Sequence, residues 1–92
     1  LLSEGAYEAR AFSNITHKGQ AVCEAITREL ERGSTLIPAR GGFSFEHKEL
    51  VHCIVSRQEI GRLKDAVKEA DPHAFIIISN VHDVLGQGFE RE

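Results

Sequence analysis

Ninety-two residues supply one domain's worth of chain, too few for a second hydrophobic core. Eleven Lys and Arg against fourteen Asp and Glu leave a formal charge of -3, so the basic footprint of a nucleic-acid binder is missing. Hydrophobic residues make up 41% and charged residues 27%, as in ordinary globular domains, and the longest apolar run, residues 74–78, is far short of the roughly 20 residues that span a bilayer.

Residues 1–6 read as a linker and residues 7–92 as one folded domain. The first strand is expected over residues 7–15, where Glu8, Arg10 and Asn14 alternate loosely with Ala9, Ala11, Ser13 and Ile15. Residues 18–32 carry Val22, Cys23, Ile26 and Leu30 at helical spacing with Glu24, Arg28, Glu31 and Arg32 opposite, which predicts an amphipathic helix. Gly33 follows where a left-handed cap favours a residue without a Cβ. A second strand over residues 34–40, with Thr35, Leu36 and Ile37, runs into Gly41-Gly42, a pair that permits unusual backbone angles. After the polar bend Glu46-His47-Lys48 a third strand spans residues 49–55, and the two strands form an antiparallel hairpin.

Ser56-Arg57-Gln58-Glu59 is a capping box, in which the Ser oxygen and the Glu carboxylate each satisfy a free amide at a helix start. Ile60, Leu63, Val67 and Ala70 form the buried stripe of that second helix, which must stop at Asp71 because Pro72 disfavours helical geometry before it. The fourth strand covers residues 74–81, and a glycine-punctuated tail, Gly86-Gln87-Gly88-Phe89, follows. The order strand, helix, strand, strand, helix, strand is the βαββαβ ferredoxin-like plan of the α+β class, an antiparallel sheet with both helices on one face. In that plan the last strand lies at an edge. Phe75-Ile76-Ile77-Ile78 is apolar on both faces, so the tail or another subunit is expected to cover it.

Several short motifs combine specifically: Gly33-Ser34-Thr35-Leu36, Gly41-Gly42-Phe43, Val55-Ser56-Arg57 with Glu59 and Leu63, Asp71-Pro72 with Ala74-Phe75, and Val84-Leu85-Gly86 with Gly88-Phe89. In these the chain resembles the cytoplasmic C-terminal domain of the YitT family of bacterial membrane proteins. The resemblance implies that transmembrane helices precede Leu1 and that the domain lies on the cytoplasmic face of the bacterial membrane. A chain that contains no Met and opens Leu1-Leu2-Ser3 agrees with a piece of a longer protein. With no secretory signal recognisable in it and two cysteines, a reducing compartment and free thiols are expected.

Arg40, Gly41, Gly42, Phe43 and Lys48 are the candidate ligand-binding residues. Glycine amides approach a phosphate or carboxylate closely, and Arg adds a charged fork. A tight hairpin needs the same glycines for steric reasons alone, so the structural reading stands beside the ligand reading. The resemblance tilts the balance toward a ligand, because PII-like regulators of this fold place small-molecule sites near the same loop between subunits.

The remaining chemistry is sparse. His17, His47, His52, His73 and His82 include no pair at metal-ligand spacing, and His52 and Cys53 are strand neighbours whose side chains point to opposite faces. Cys23 and Cys53 read as small core residues. No nucleophile elbow, metalloprotease motif or phosphate-binding loop appears. RNA-recognition modules share this strand order but stack bases on strand aromatics, and the third strand has none. The expectation is therefore a module without catalytic residues, metal or cofactor. It would regulate its own membrane domain by sensing a small anionic metabolite or nucleotide, or would serve only to hold a homo-oligomer together.

Overall fold

The computed structural model describes residues 9–86. They form β1 (Ala9–Thr16), α1 (Gly19–Leu30), β2 (Thr35–Arg40), β3 (His47–Ser56), a 3-10 turn (Arg57–Glu59), α2 (Ile60–Ala70) and β4 (Phe75–Asn80). The four strands make one antiparallel sheet in the order β2-β3-β1-β4, the ferredoxin-like arrangement expected, with β4 at an edge.

Strand alternation decides which face the helices cover. Phe12 of β1 and Val51, Cys53 and Val55 of β3 are buried, as are Val22, Ile26 and Leu30 of α1 and Leu63 and Val67 of α2. Ile76 and Ile78 of β4 pack against the same core. This apolar layer supplies the main driving force, at about 25 cal/mol for each Å² removed from water. Among the described residues nothing covers the other face, where Ile15, Leu50 and Ile54 are half-buried and Ile37, Phe75 and Ile77 are exposed. Ser13 and His52 face one another at its centre, with Oγ to Nδ1 at 3.3 Å.

Several local expectations need correction. β1 runs on through Thr16, which pairs with Glu49, while Tyr7 lies outside the described residues. α1 ends at Leu30, and Glu31, not Gly33, takes the left-handed cap at φ 56°, its N–H donating to the Thr27 carbonyl at 3.0 Å. The physical reason is tertiary: Arg32 is drawn out of the helix to Glu59 at the start of the next helical segment, with Nε to Oε1 at 3.0 Å.

Cys53 is buried as predicted, but Cys23 is only half-buried, because the apolar stripe of α1 turns through Ala25 instead. In α2 the fully buried positions are Leu63, Ala66 and Val67, with Ile60 and Ala70 half-buried at the ends of the stripe. The bend residues His47 and Lys48 belong to β3, paired with Arg40 and Ala39.

Neither hairpin glycine has a positive φ; Phe45 does, at 61°. The left-handed turn residue is thus a bulky one, held by its N–H donating to the Gly41 carbonyl at 3.0 Å. The tail residues Gly88 and Phe89 lie outside the described residues, and among the described glycines Gly86 takes a positive φ, 105°.

Candidate functional site

Two carboxylates fasten the elements at opposite ends of the sheet. At one end the capping box is present as written in the sequence: Glu59 accepts the Ser56 N–H at 2.8 Å and also the Arg32 guanidinium. Burial alone would raise its pKa, but the Ser56 amide and Arg32 together hold it below the ordinary value. Arg57 stands in the same turn, exposed.

At the other end Asp71, buried, accepts the Thr16 hydroxyl on one oxygen and the His73 N–H on the other at 3.0 Å. The Thr16 bond is the largest influence on Asp71 and lowers its pKa, outweighing desolvation, with the charges of Lys18 and His73 adding to it. Thr16 in turn accepts the Lys18 N–H at 2.9 Å. One hydrogen-bonded chain therefore ties the end of β1 and the start of α1 to the loop between α2 and β4. In the same corner the Glu49 carboxylate accepts the Gly19 N–H at 2.7 Å, capping α1 from a different strand. Beneath it Asn14 is fully buried, donating to the Phe75 carbonyl at 3.3 Å, with no hydrogen-bond partner for its Oδ1.

Above this corner, on the uncovered face of the sheet, lies a cavity of about 400 Å³. Arg40, Gly41, Gly42 and Lys48 line one side of it, and Ile15, Ala39, Leu50 and Phe75 the other. Four of the five residues singled out from sequence therefore meet there. Phe43 does not: it stands on the hairpin tip, 99% exposed.

The expected anion cradle is altered in two respects. The Gly41 N–H already donates to the Glu46 carbonyl at 3.0 Å, so the amides of Gly41 and Gly42 are not both open to a ligand. Alternation along β2 gives the uncovered face to Ala39, opposite Lys48, and turns the Arg40 side chain the other way, opposite His47. Charge reaches this cavity through Lys48 rather than through Arg40.

A smaller cavity of about 220 Å³ adjoins it and shares Ile15, Lys48 and Phe75 as lining. Its remaining walls, His17, Lys18 and His73 beside Thr16 and Asp71, come from the β1–α1 and α2–β4 connections. Sequence reasoning missed Lys18 and gave His17 and His73 no role beyond metal candidates, because the connections that bring them together are about 55 residues apart, as the Thr16 to Asp71 bond shows. Among the described residues no three His, Cys, Asp or Glu side chains gather where they could hold one metal ion.

This architecture is that of the PII-like ferredoxin-like folds: the Arabidopsis thaliana PII protein solved with citrate superposes with a TM-score of 0.76 at 20% identity, over 86% of this chain and 80% of that one. The chain belongs to the family described as uncharacterized protein conserved in bacteria (DUF2179), whose pattern matches residues 32–86. Its relatives include UPF0750 membrane proteins of Bacillus subtilis (strain 168). YpjC is 38% identical over 89 residues, 97% of this chain and 31% of that protein. YitT is 38% identical over 72 residues, 78% of this chain and 26% of that protein. The membership in the YitT group implied by the sequence motifs is thus shown, and this chain spans less than a third of either relative's length. Among the described residues no helix is long and apolar enough to cross a membrane.

Proposed function

We propose that this chain is a non-catalytic regulatory module on the cytoplasmic face of a multi-pass bacterial membrane protein, joined to its membrane region through a linker at residues 1–6. It takes a small anionic metabolite or nucleotide at the hairpin end of the sheet and passes its state to that region. The observation that carries this reading is the cavity of about 400 Å³ on the uncovered face, lined by Lys48 and by the strand end Arg40-Gly41-Gly42. The likeness to a PII protein described as bound to citrate supports it as an analogy of fold. Membership among membrane proteins supports the attachment.

The module also assembles with copies of itself. Ile37, Phe75 and Ile77 form an exposed apolar surface on the sheet face opposite the helices, and a second copy brought against it would remove that surface from water. A ligand in a cavity on that face would then lie close to the neighbouring subunit, so that binding biases subunit geometry. The same apolar surface favours a second reading, in which the module only holds membrane subunits together.

Thermal melting against a panel of anionic metabolites and nucleotides separates the two. A ligand that binds the folded state raises the midpoint by mass action. A midpoint unmoved by the whole panel would leave assembly as the function.

A further inference from the structure

The smaller cavity carries the ligand reading further. Its ionisable lining is His17, Lys18, Lys48, Asp71 and His73, two lysines against one carboxylate. In a chain whose formal charge is -3 this lining is net positive even with both imidazoles neutral, and the neighbouring Glu49 carboxylate is engaged by the Gly19 N–H. The one negative group of the lining is already occupied, since Asp71 accepts the Thr16 hydroxyl and the His73 N–H. The Lys18 charge acts on Asp71, and both lysines, which carry only donors, border the cavity.

The larger cavity continues from this one across Ile15, Lys48 and Phe75, and its remaining lining is Leu50, Ala39 and the strand end Arg40-Gly41-Gly42. Phe75 is 61% exposed, with its ring free to be covered. The smaller cavity gathers the two lysines and the imidazoles, and Ile15, Leu50 and Phe75 give the larger one its apolar lining, with Lys48 between them.

We infer that this double cavity binds a small organic phosphate or carboxylate with a flat apolar body. Its anionic head lies between Lys18 and Lys48 with the imidazoles of His17 and His73 at the rim, and its body covers Phe75, Ile15 and Leu50. The inference rests on the ligand-sensing reading and moves the anion from the hairpin glycines to the corner formed by the β1–α1 and α2–β4 connections. A charge-assisted hydrogen bond is roughly twice as strong as a neutral one, so the lysines dominate affinity and the aromatic wall selects for the body.

The test is a titration of the 92-residue chain, followed by amide chemical shifts, with phenyl phosphate, inorganic phosphate and benzyl alcohol as probes. Phenyl phosphate is expected to bind at least about tenfold more tightly than either of the others, a difference of about 1.4 kcal/mol, and to shift the amides of Lys18, His73 and Phe75. Lys18→Met and Lys48→Met should each weaken it several-fold. Phe75→Ala should weaken phenyl phosphate while leaving inorganic phosphate unchanged. Arg28→Ala, which removes one positive charge on the exposed surface of α1, should alter neither; urea midpoints of all variants confirm that they fold.

If Arg40→Ala abolishes binding and Lys18→Met does not, the anion sits at the hairpin: this inference falls and the ligand-sensing reading stands. If none of the probes binds but a metabolite from the melting panel does, without loss on Lys18→Met, the outcome is the same. If neither the probes nor the panel binds, both fall.

Discussion

The two faces of the sheet are built from similar side chains and have opposite fates. Phe12, Val51, Val55, Ile76 and Ile78 face the helices and make the core, whereas Ile15, Ile37, Leu50, Ile54, Phe75 and Ile77 face away, half-buried or exposed. The apolar content of a strand therefore does not tell which of its faces stabilises the fold. Coverage does, since burial is what turns apolar area into free energy. One face holds the domain together, and the other, uncovered among the described residues, is the one proposed to take a partner or a ligand.

Substitutions on the two faces should separate cleanly. The largest expected effect is that of Phe12→Ala on the covered face, where a fully buried ring is replaced by a cavity at a cost of about 3–5 kcal/mol. A urea-unfolding midpoint that moves as little as that of an exposed-face variant would break the comparison.

The next effect concerns the corner that closes the covered face. Asp71→Asn should cost about 1–3 kcal/mol, because the buried Thr16 hydroxyl and the His73 amide lose a charged acceptor. Asp71 also gives the acid limb of stability a sign. Its pKa is lowered on folding from an ordinary 3.8, so the folded state favours the carboxylate. The contribution is complete above that ordinary value and is lost as the pH falls through the folded one. Stability should therefore drop below about pH 4, less steeply in the Asp71→Asn variant, as read from denaturation midpoints against pH.

At the opposite end Ser56→Ala removes one half of the capping box and should cost about 1 kcal/mol. An unchanged midpoint would show that Glu59 and Arg32 alone hold that helix start. The smallest effect on the fold, within about 0.5 kcal/mol, is expected of Ile77→Lys, since Ile77 on the uncovered face is 45% exposed. The same variant should dissociate the proposed assembly, so light scattering at micromolar concentration ought to show a lower mass than for the parent chain. Equal masses would mean that this face is not the one that assembles.

Much of the candidate site was legible in the residues because it is local. Arg40, Gly41, Gly42 and Lys48 are brought together by one hairpin, and reading the hairpin places them. What that reading could not supply is the direction of each side chain. The Arg40 to His47 register turns the Arg40 side chain toward the opposite face although the residue lines the cavity, and the Gly41 to Glu46 bond consumes one amide of the glycine pair. Lys18, His17 and His73 were invisible as a group, because a strand end and a helix-to-strand loop distant in sequence meet only once the sheet has formed.

The sequence by itself determined the order of elements, the antiparallel hairpin, the capping box at Ser56 and the helix stop at Asp71. Each of these rests on periodicity, on turn and proline sterics, or on hydrogen bonds within four residues, which the nearby chain decides. Only the tertiary structure decided that Glu49 caps α1 in place of any neighbour of Gly19 and that Arg32 leaves its helix for Glu59. It also decided that Thr16 is the partner of Asp71. A buried donor or acceptor must find a partner wherever the fold puts one, and that place is set by strand pairing across the whole chain.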